Sequence, residues 1–154
     1  VTNRAPLFTV RSATAADAPS LNVLEIEART EIASFRGHEA LLAANPLVGP
    51  NWASTVASDS CLVLVAEASG QIVGYAKGDI IPESTICIVN HIFVDQMARQ
   101  IGIGAGLISE IARIAKSRGC KTLDALALPG DRKMKNLYER VGMPARLLIA
   151  SKIL

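Results

Sequence analysis

Residues 94–107 read VDQMARQIGIGAGL. Three glycines, Gly102, Gly104 and Gly106, fall where a loop gives way to a helix. Downstream, Ile103, Leu107, Ile111 and Ile114 recur at three- and four-residue spacing, with Glu110, Arg113 and Lys116 on the other side. Each glycine inside a helix costs about 1 kcal/mol against alanine, so a run of them needs another reason. Glycine is useful where a group must approach the backbone closely, or where the chain needs positive φ. A helix N-terminus also carries free N–H groups and partial positive charge, so it can hold a phosphate without a cationic side chain. The stretch reads either as a pyrophosphate cradle or as a turn that lets helix and sheet pack tightly.

Outward from this stretch, Thr85–Val94 is a long strand rich in β-branched residues. After the helix, Lys116 and Arg118 complement its dipole, and Gly119 suits a left-handed cap. Thr122–Leu128 is nearly continuous in apolar residues, as a buried parallel strand would be. Residues 85–128 therefore form a β-α-β unit. Upstream, Cys61–Ala66 and Ile72–Ala76 flank the turn Ser69-Gly70-Gln71 as a hairpin, and Gly78–Ser84 reads as a loop with Pro82. Phe8–Arg11 alternates as a short strand. Thr14 and Asp17 form a capping box ahead of Leu21, Leu24, Ala28 and Ile32 at helical spacing. Residues 34–60 are irregular: Glu39–Ala44 supplies one or two helical turns, Pro46, Gly49 and Pro50 punctuate a loop, and a short helix runs through Trp52 and Val56. This region is either a substrate loop or a plain connector. Asp131 caps a last helix whose Met134, Leu137, Tyr138 and Val141 share a face, Gly142 ends it, and Arg146–Ile153 reads as a final strand. The expected fold is α/β: a mixed sheet, antiparallel in its first half, with a central β-α-β crossover and helices on both faces.

The whole chain, residues 1–154, fits one domain, with 1–6 as a loose N-terminal tail. Sixteen Lys and Arg against fourteen Asp and Glu give a net charge of +2, which offers no electrostatic footprint for nucleic acid or an anionic membrane. Aromatics at 4% leave too few rings for base stacking. No apolar stretch is long enough to span a membrane, and the N-terminus does not read as a secretory signal. Cys61, Cys87 and Cys120 are far apart and outside any C-x-x-C, so they read as free buried thiols in a reduced cytoplasm, with no metal site. A P-loop is excluded because no Gly-Lys-Ser/Thr follows. A dinucleotide fingerprint fails because seven residues separate Val94 from Gly102 and position 107 is leucine.

Ile92-Phe93-Val94-Asp95 followed by Arg99-Gln100-Ile101-Gly102-Ile103-Gly104 resembles the acetyl-CoA signature of the GNAT superfamily of N-acetyltransferases, a strand L-x-V and then Q/R-x-x-G-x-G/A. Three further stretches are similar to that family in the same order. They are Val10–Asp17 at the opening strand and helix start, Gly70–Ala76 against G-x-I-V-G-x-A, and Leu137–Met143 against L-Y-E-x-x-G-F. The resemblance spans residues 8–154. It implies transfer of an acetyl group from acetyl-CoA to a primary amine by direct attack in a ternary complex. The acceptor would be a small molecule or a peptide. Backbone groups of Ile92, Phe93 and Val94 would bind the pantetheine arm, and those of Arg99, Gln100, Ile101, Gly102, Ile103, Gly104 and Ala105 the pyrophosphate. Tyr138 would face the sulfur as the catalytic acid. Arg132, Lys133 and Lys135 form a basic run placed for the adenosine 3′-phosphate or for solvent.

The sequence departs from the family at three points. Asp131 stands where an asparagine is common. Counting back from Val94 by twos places Ile92, Asn90 and Ile88 on one face, with no base among them, and His91 opposite as a structural histidine. Glu83, Asp79 and Glu31 are then the candidates to deprotonate an amine through water. Only about ten residues follow Met143, which shortens the usual terminal hairpin and suggests a homodimer that covers the sheet edge. Residues 34–60, loop 78–84 and the C-terminus are expected to shape the acceptor site. The rival readings are a non-catalytic acyl-CoA-binding module and an acyltransferase with another acyl group or acceptor.

Overall fold

A computed structural model of the chain describes residues 5–154; residues 1–4 of the expected N-terminal tail lie outside the described residues. Five strands make one sheet in chain order: β1 (Thr9–Ser12), β2 (Cys61–Ala68), β3 (Gln71–Ile81), β4 (Ile86–Val94) and β5 (Thr122–Ala125). The first three junctions are antiparallel and β4–β5 is parallel. The helices are α1 (Ala18–Ile32), α2 (His38–Ala44), α3 (Trp52–Val56), α4 (Ile103–Ser117) and α5 (Arg132–Arg140). No described helix is long and apolar enough to cross a membrane.

The period of two along β2 sorts the core into two layers. Leu62, Leu64 and Ala66 pack with Ile103, Leu107 and Ile111 of α4. Val63 and Val65 turn the other way, onto Leu21 and Leu24 of α1 and Trp52 of α3. The chain enters α1 as its capping box requires: the Thr14 N–H donates to the Asp17 carboxylate at 2.7 Å, and Arg11 clamps that carboxylate at 2.7 and 2.9 Å.

Three sequence expectations are corrected. Residues 78–81 are not loop but the end of β3, paired with β4; the turn is confined to Pro82–Thr85. Gly78 serves packing there, since a Cβ on it would stand 2.9 Å from both Cys87 Sγ and Ile111 Cδ1. The strand expected over Thr122–Leu128 stops at Ala125, where pairing with β4 ends. Residues 146–153 form no strand: Leu147, Leu148 and Ile149 are exposed and unpaired. Their apolar composition suits a strand, but a strand exists only where a ladder partner meets it.

Register matters most between β3 and β4. Lys77 faces His91 while Gly78 faces Val89, so Asn90 is an extra residue in β4, a β-bulge.

Candidate active site

The bulge resets the side-chain alternation. Cys87 and Val89 pack toward α4 before it, and Ile92 and Val94 do so after it. Phe93 joins the α1 layer. His91 stands on that same side, edge-on to Trp52 at 6.2 Å between ring centroids, its Nδ1 3.3 Å from the Tyr75 hydroxyl. Asn90 is also there, donating to Asp79. The expectation of Ile92, Asn90 and Ile88 on one face with His91 opposite is therefore corrected: Asn90 and His91 share the α1 side, and Ile92 faces α4. Asn90 Oδ1 is buried with no donor among the described residues, its orientation fixed because the Asp79 carboxylate only accepts.

Pairing between β4 and β5 ends at Val89–Ala125, whereas β4 runs on to Val94. The strands part there and open a cleft of about 740 Å³. Tyr138 lines it, as do nine of the ten residues expected to bind a cofactor: Ile92, Phe93, Val94, Arg99, Gln100, Gly102, Ile103, Gly104 and Ala105. Ile101 is the exception and is exposed.

At one wall α4 begins without a side-chain cap. Gly102 sits at φ +93°, which only glycine adopts freely, and Gln100 at +72°. The first bond inside the helix runs from the Gly106 N–H to the Gly102 carbonyl, at 2.9 Å. The N–H groups of Ile103, Gly104 and Ala105 therefore have no acceptor within the helix, and their partial positive charge faces the cleft. The other glycines serve packing. A Cβ at Gly104 would stand 2.9 Å from Leu137 of α5, and one at Gly106 would stand 3.0 Å from the Phe8 ring. Both readings of the glycine run thus hold, at different residues.

Arg99 fastens the loop. Its Nε donates to the Val94 carbonyl at 2.9 Å, its other nitrogens reach Glu31 at 2.9 and 2.6 Å, and its guanidinium lies 5.5 Å from the centre of the Phe93 ring. Such a two-pronged pair fixes orientation as well as charge. Glu31, one candidate base, is thereby committed as the counter-ion of Arg99. Asp79 is committed too. Burial alone would raise its pKa, but hydrogen bonds from Lys77 at 2.6 and 2.8 Å, with further ones from Cys61 and Asn90, hold it below the usual range. Neither Asp79 nor Glu83, which is exposed in the turn after β3, lines the cleft.

Tyr138 is buried and its hydroxyl donates to the Leu126 carbonyl at 3.1 Å. Burial first, and the charge of Asp131 second, push its pKa above the ordinary phenol value. Asp131 caps α5 by accepting from the Met134 N–H at 3.0 Å. Of the basic run, only Lys133 lines the cleft; Lys135 donates to the Pro129 carbonyl. Asn136 and Arg140 also line it, and sequence reading missed them. Their spacing three and seven residues beyond Lys133, on one face of the helix, was the available signal.

Region 34–60 divides. Phe35, Leu41, Leu42 and Asn45 line the cleft, while Trp52 is fully buried. The second half is an anchor: the buried Glu25 carboxylate accepts from the Val48 and Gly49 N–H groups at 2.8 and 3.0 Å and from Trp52 Nε1 at 2.9 Å. Neither loop 78–84 nor any residue beyond Val141 lines the cleft, which corrects that expectation.

Burial, and after it the charge of Lys77, pushes His91 down to about 4. An unfolded histidine titrates near 6.5. Between those values the unfolded chain binds a proton that the folded chain refuses, so stability rises with pH across the window and is lost on acidification. The full loss is roughly 3 kcal/mol. Urea midpoints at pH 7, 5.5 and 4.5 are expected to fall in step, and His91→Gln to flatten the trend. An unflattened trend in the variant would place the acid sensitivity elsewhere.

Comparison with known proteins adds a family. The model of the acetyltransferase (GNAT) family matches residues 24–143. No curated protein matches by sequence. Among solved structures, the aminoglycoside acetyltransferase AAC(6′)-Iy in complex with the bisubstrate analogue CoA-S-monomethyl-acetylneamine superposes with a TM-score of 0.71 at 19% identity, covering 96% of this chain and 99% of that one. A soil-metagenome aminoglycoside acetyltransferase in complex with trehalose gives 0.72 at 14%, covering 96% and 95%. A ribosomal-protein-alanine N-acetyltransferase from Brucella melitensis biovar Abortus 2308 gives 0.64 at 22%, covering 96% and 97%. At these identities the likeness is one of fold.

Proposed function

Because the chain belongs to the GNAT acetyltransferase family, we propose that it moves an acetyl group from acetyl-CoA to a primary amine by direct attack. The observation that carries this reading is the run of free N–H groups at Ile103, Gly104 and Ala105, opening onto the cleft where β4 and β5 part. Those donors suit a diphosphate, and Lys133 and Arg140 at the rim suit a further phosphate. The backbone of Ile92, Phe93 and Val94, freed from β5, orients the pantetheine arm and polarises the thioester carbonyl. Arg99 to Gly102 shape the loop that holds the donors in place. Tyr138 turns its hydroxyl from the Leu126 carbonyl to the departing sulfur. With its pKa raised, it stays protonated and stabilises the thiolate as a hydrogen-bond donor.

Calorimetry with acetyl-CoA and with acetyl-pantetheine, which lacks the diphosphate, tests the cradle. Binding of the first, weakened at least tenfold in the second, is expected, since one hydrogen bond to a charged group contributes about 1.5–3 kcal/mol. No binding of acetyl-CoA at millimolar concentration overturns the reading. Amine-dependent thiol release separates an enzyme from a non-catalytic module.

The same reading includes a homodimer. Among the described residues the outer edge of β5 has no partner strand, and Leu147, Leu148 and Ile149 lie exposed. Light scattering at micromolar concentration is expected to give twice the chain mass, and a monomer removes this part.

A further inference from the structure

Resting on the acetyl-transfer reading, we infer that the acceptor is a weakly basic α-amino group carried beside an apolar side chain, and not a polycationic amine. The cleft is lined by four cations, Arg29, Arg99, Lys133 and Arg140, against two carboxylates, Glu31 and Asp131. Neither carboxylate is free. Glu31 is bound by Arg99 at both oxygens, and Asp131 caps α5. Arg29 lies 3.5 Å from Glu25, which is fully buried behind the wall. A polycationic acceptor would surrender its hydration here and meet no carboxylate that is not already engaged.

The shape of the α1 side agrees. Ile32, Phe35, Leu41, Leu42 and Leu128 line it, and α2, which carries two of them, buries no residue of its own. Those half-buried leucines are therefore available to cover an apolar side chain.

Proton balance narrows the amine. The neutral nitrogen attacks the thioester carbonyl carbon; the C–N bond forms, the C–S bond breaks with its electron pair going to sulfur, and the proton shed by nitrogen passes to water, which balances the charge left on the thiolate. No side chain of this cleft serves as a base near neutral pH. Glu31 is paired with Arg99, Asp131 caps α5, and His91, lying against Tyr75 and Trp52 and facing the charges of Lys77, Glu25, Arg29 and Asp79, is held too acidic. The amine must then arrive neutral. At pH 7 an α-amino group is about one-tenth neutral, whereas a lysine-type amine is neutral in about one part in 2,500.

The test measures CoA-thiol release at pH 7, after calorimetry has shown acetyl-CoA binding. The probes are leucine amide, a hexapeptide beginning with leucine, Nα-acetyl-lysine amide and neamine. Leucine amide or the peptide is expected to exceed the other two by on the order of 100-fold in kcat/KM; which of the two leads tells a free from a peptide-borne amine. Leu42→Glu is expected to reduce kcat/KM for the leading probe about tenfold, with acetyl-CoA affinity unchanged. Equal or better use of neamine or Nα-acetyl-lysine amide overturns the inference, as does acetyl-CoA binding with no release from any probe. Failure to bind acetyl-CoA would instead defeat the underlying reading.

Discussion

Tyr138→Phe is expected to lower turnover by on the order of 100-fold or more while acetyl-CoA affinity stays within about twofold. The hydroxyl is the single polar atom the substitution removes, and the ring keeps its place in the core beside α4. The loss should fall on kcat, because the departing sulfur gains its charge only as the C–S bond breaks. A small stability change accompanies it, since the Leu126 carbonyl loses its donor; that cost is about 1 kcal/mol and is read separately by thermal melting. Unchanged turnover would remove Tyr138 from the chemistry and leave it as a core residue with a backbone hydrogen bond.

Glu25→Leu is expected to destabilise the fold by roughly 3–5 kcal/mol. The leucine side chain is similar in size, so the effect isolates the carboxylate. Without it the Val48 and Gly49 N–H groups and Trp52 Nε1 lose their acceptor together, and Arg29 loses its counter-ion. Glu25→Gln keeps one amide oxygen and should cost less than half as much. Urea unfolding distinguishes the two; a loss below about 1 kcal/mol for the leucine variant would mean that the segment is held by Trp52 packing alone. Where the protein remains folded, the acceptor KM should rise and acetyl-CoA affinity should not. The anchored segment leads from α2, whereas the N–H cradle stands on α4.

The parts that the sequence made legible are those with local causes. The three- and four-residue apolar period gives α4, the Asp131 cap starts α5, and the glycines mark the mouth of the cleft. What stayed hidden depends on partners distant in the chain. Gly78 looked like a turn because its reason, Cys87 and Ile111 at 2.9 Å, lies across the sheet. Glu31 looked like a free base because Arg99, sixty-eight residues away, had not yet been brought against it; Asp79 looked free because residue 79 read as loop, whereas it continues β3 and meets Asn90 across the sheet, with Lys77 on the same face. The apolar run 146–153 satisfied strand composition, yet composition does not supply a ladder. Asn90 was the subtlest case: nothing in a strand's own sequence reveals that one residue opposes none on its neighbour.

The bulge lets β4 carry a surplus residue without disturbing the pairs on either side of it. Deleting Asn90 would make Gly78–Val89 and Lys77–His91 successive pairs of an even ladder. His91 and Phe93 would stay on the α1 side, and Ile92 and Val94 on the α4 side, so both cores would keep their side chains. The local loss would be one of the donors to Asp79. A single-residue insertion, by contrast, would need a second bulge or would turn half of the strand over. A scan of single-codon deletions and insertions across residues 86–94 would show this asymmetry, with loss of codon 90 the mildest change.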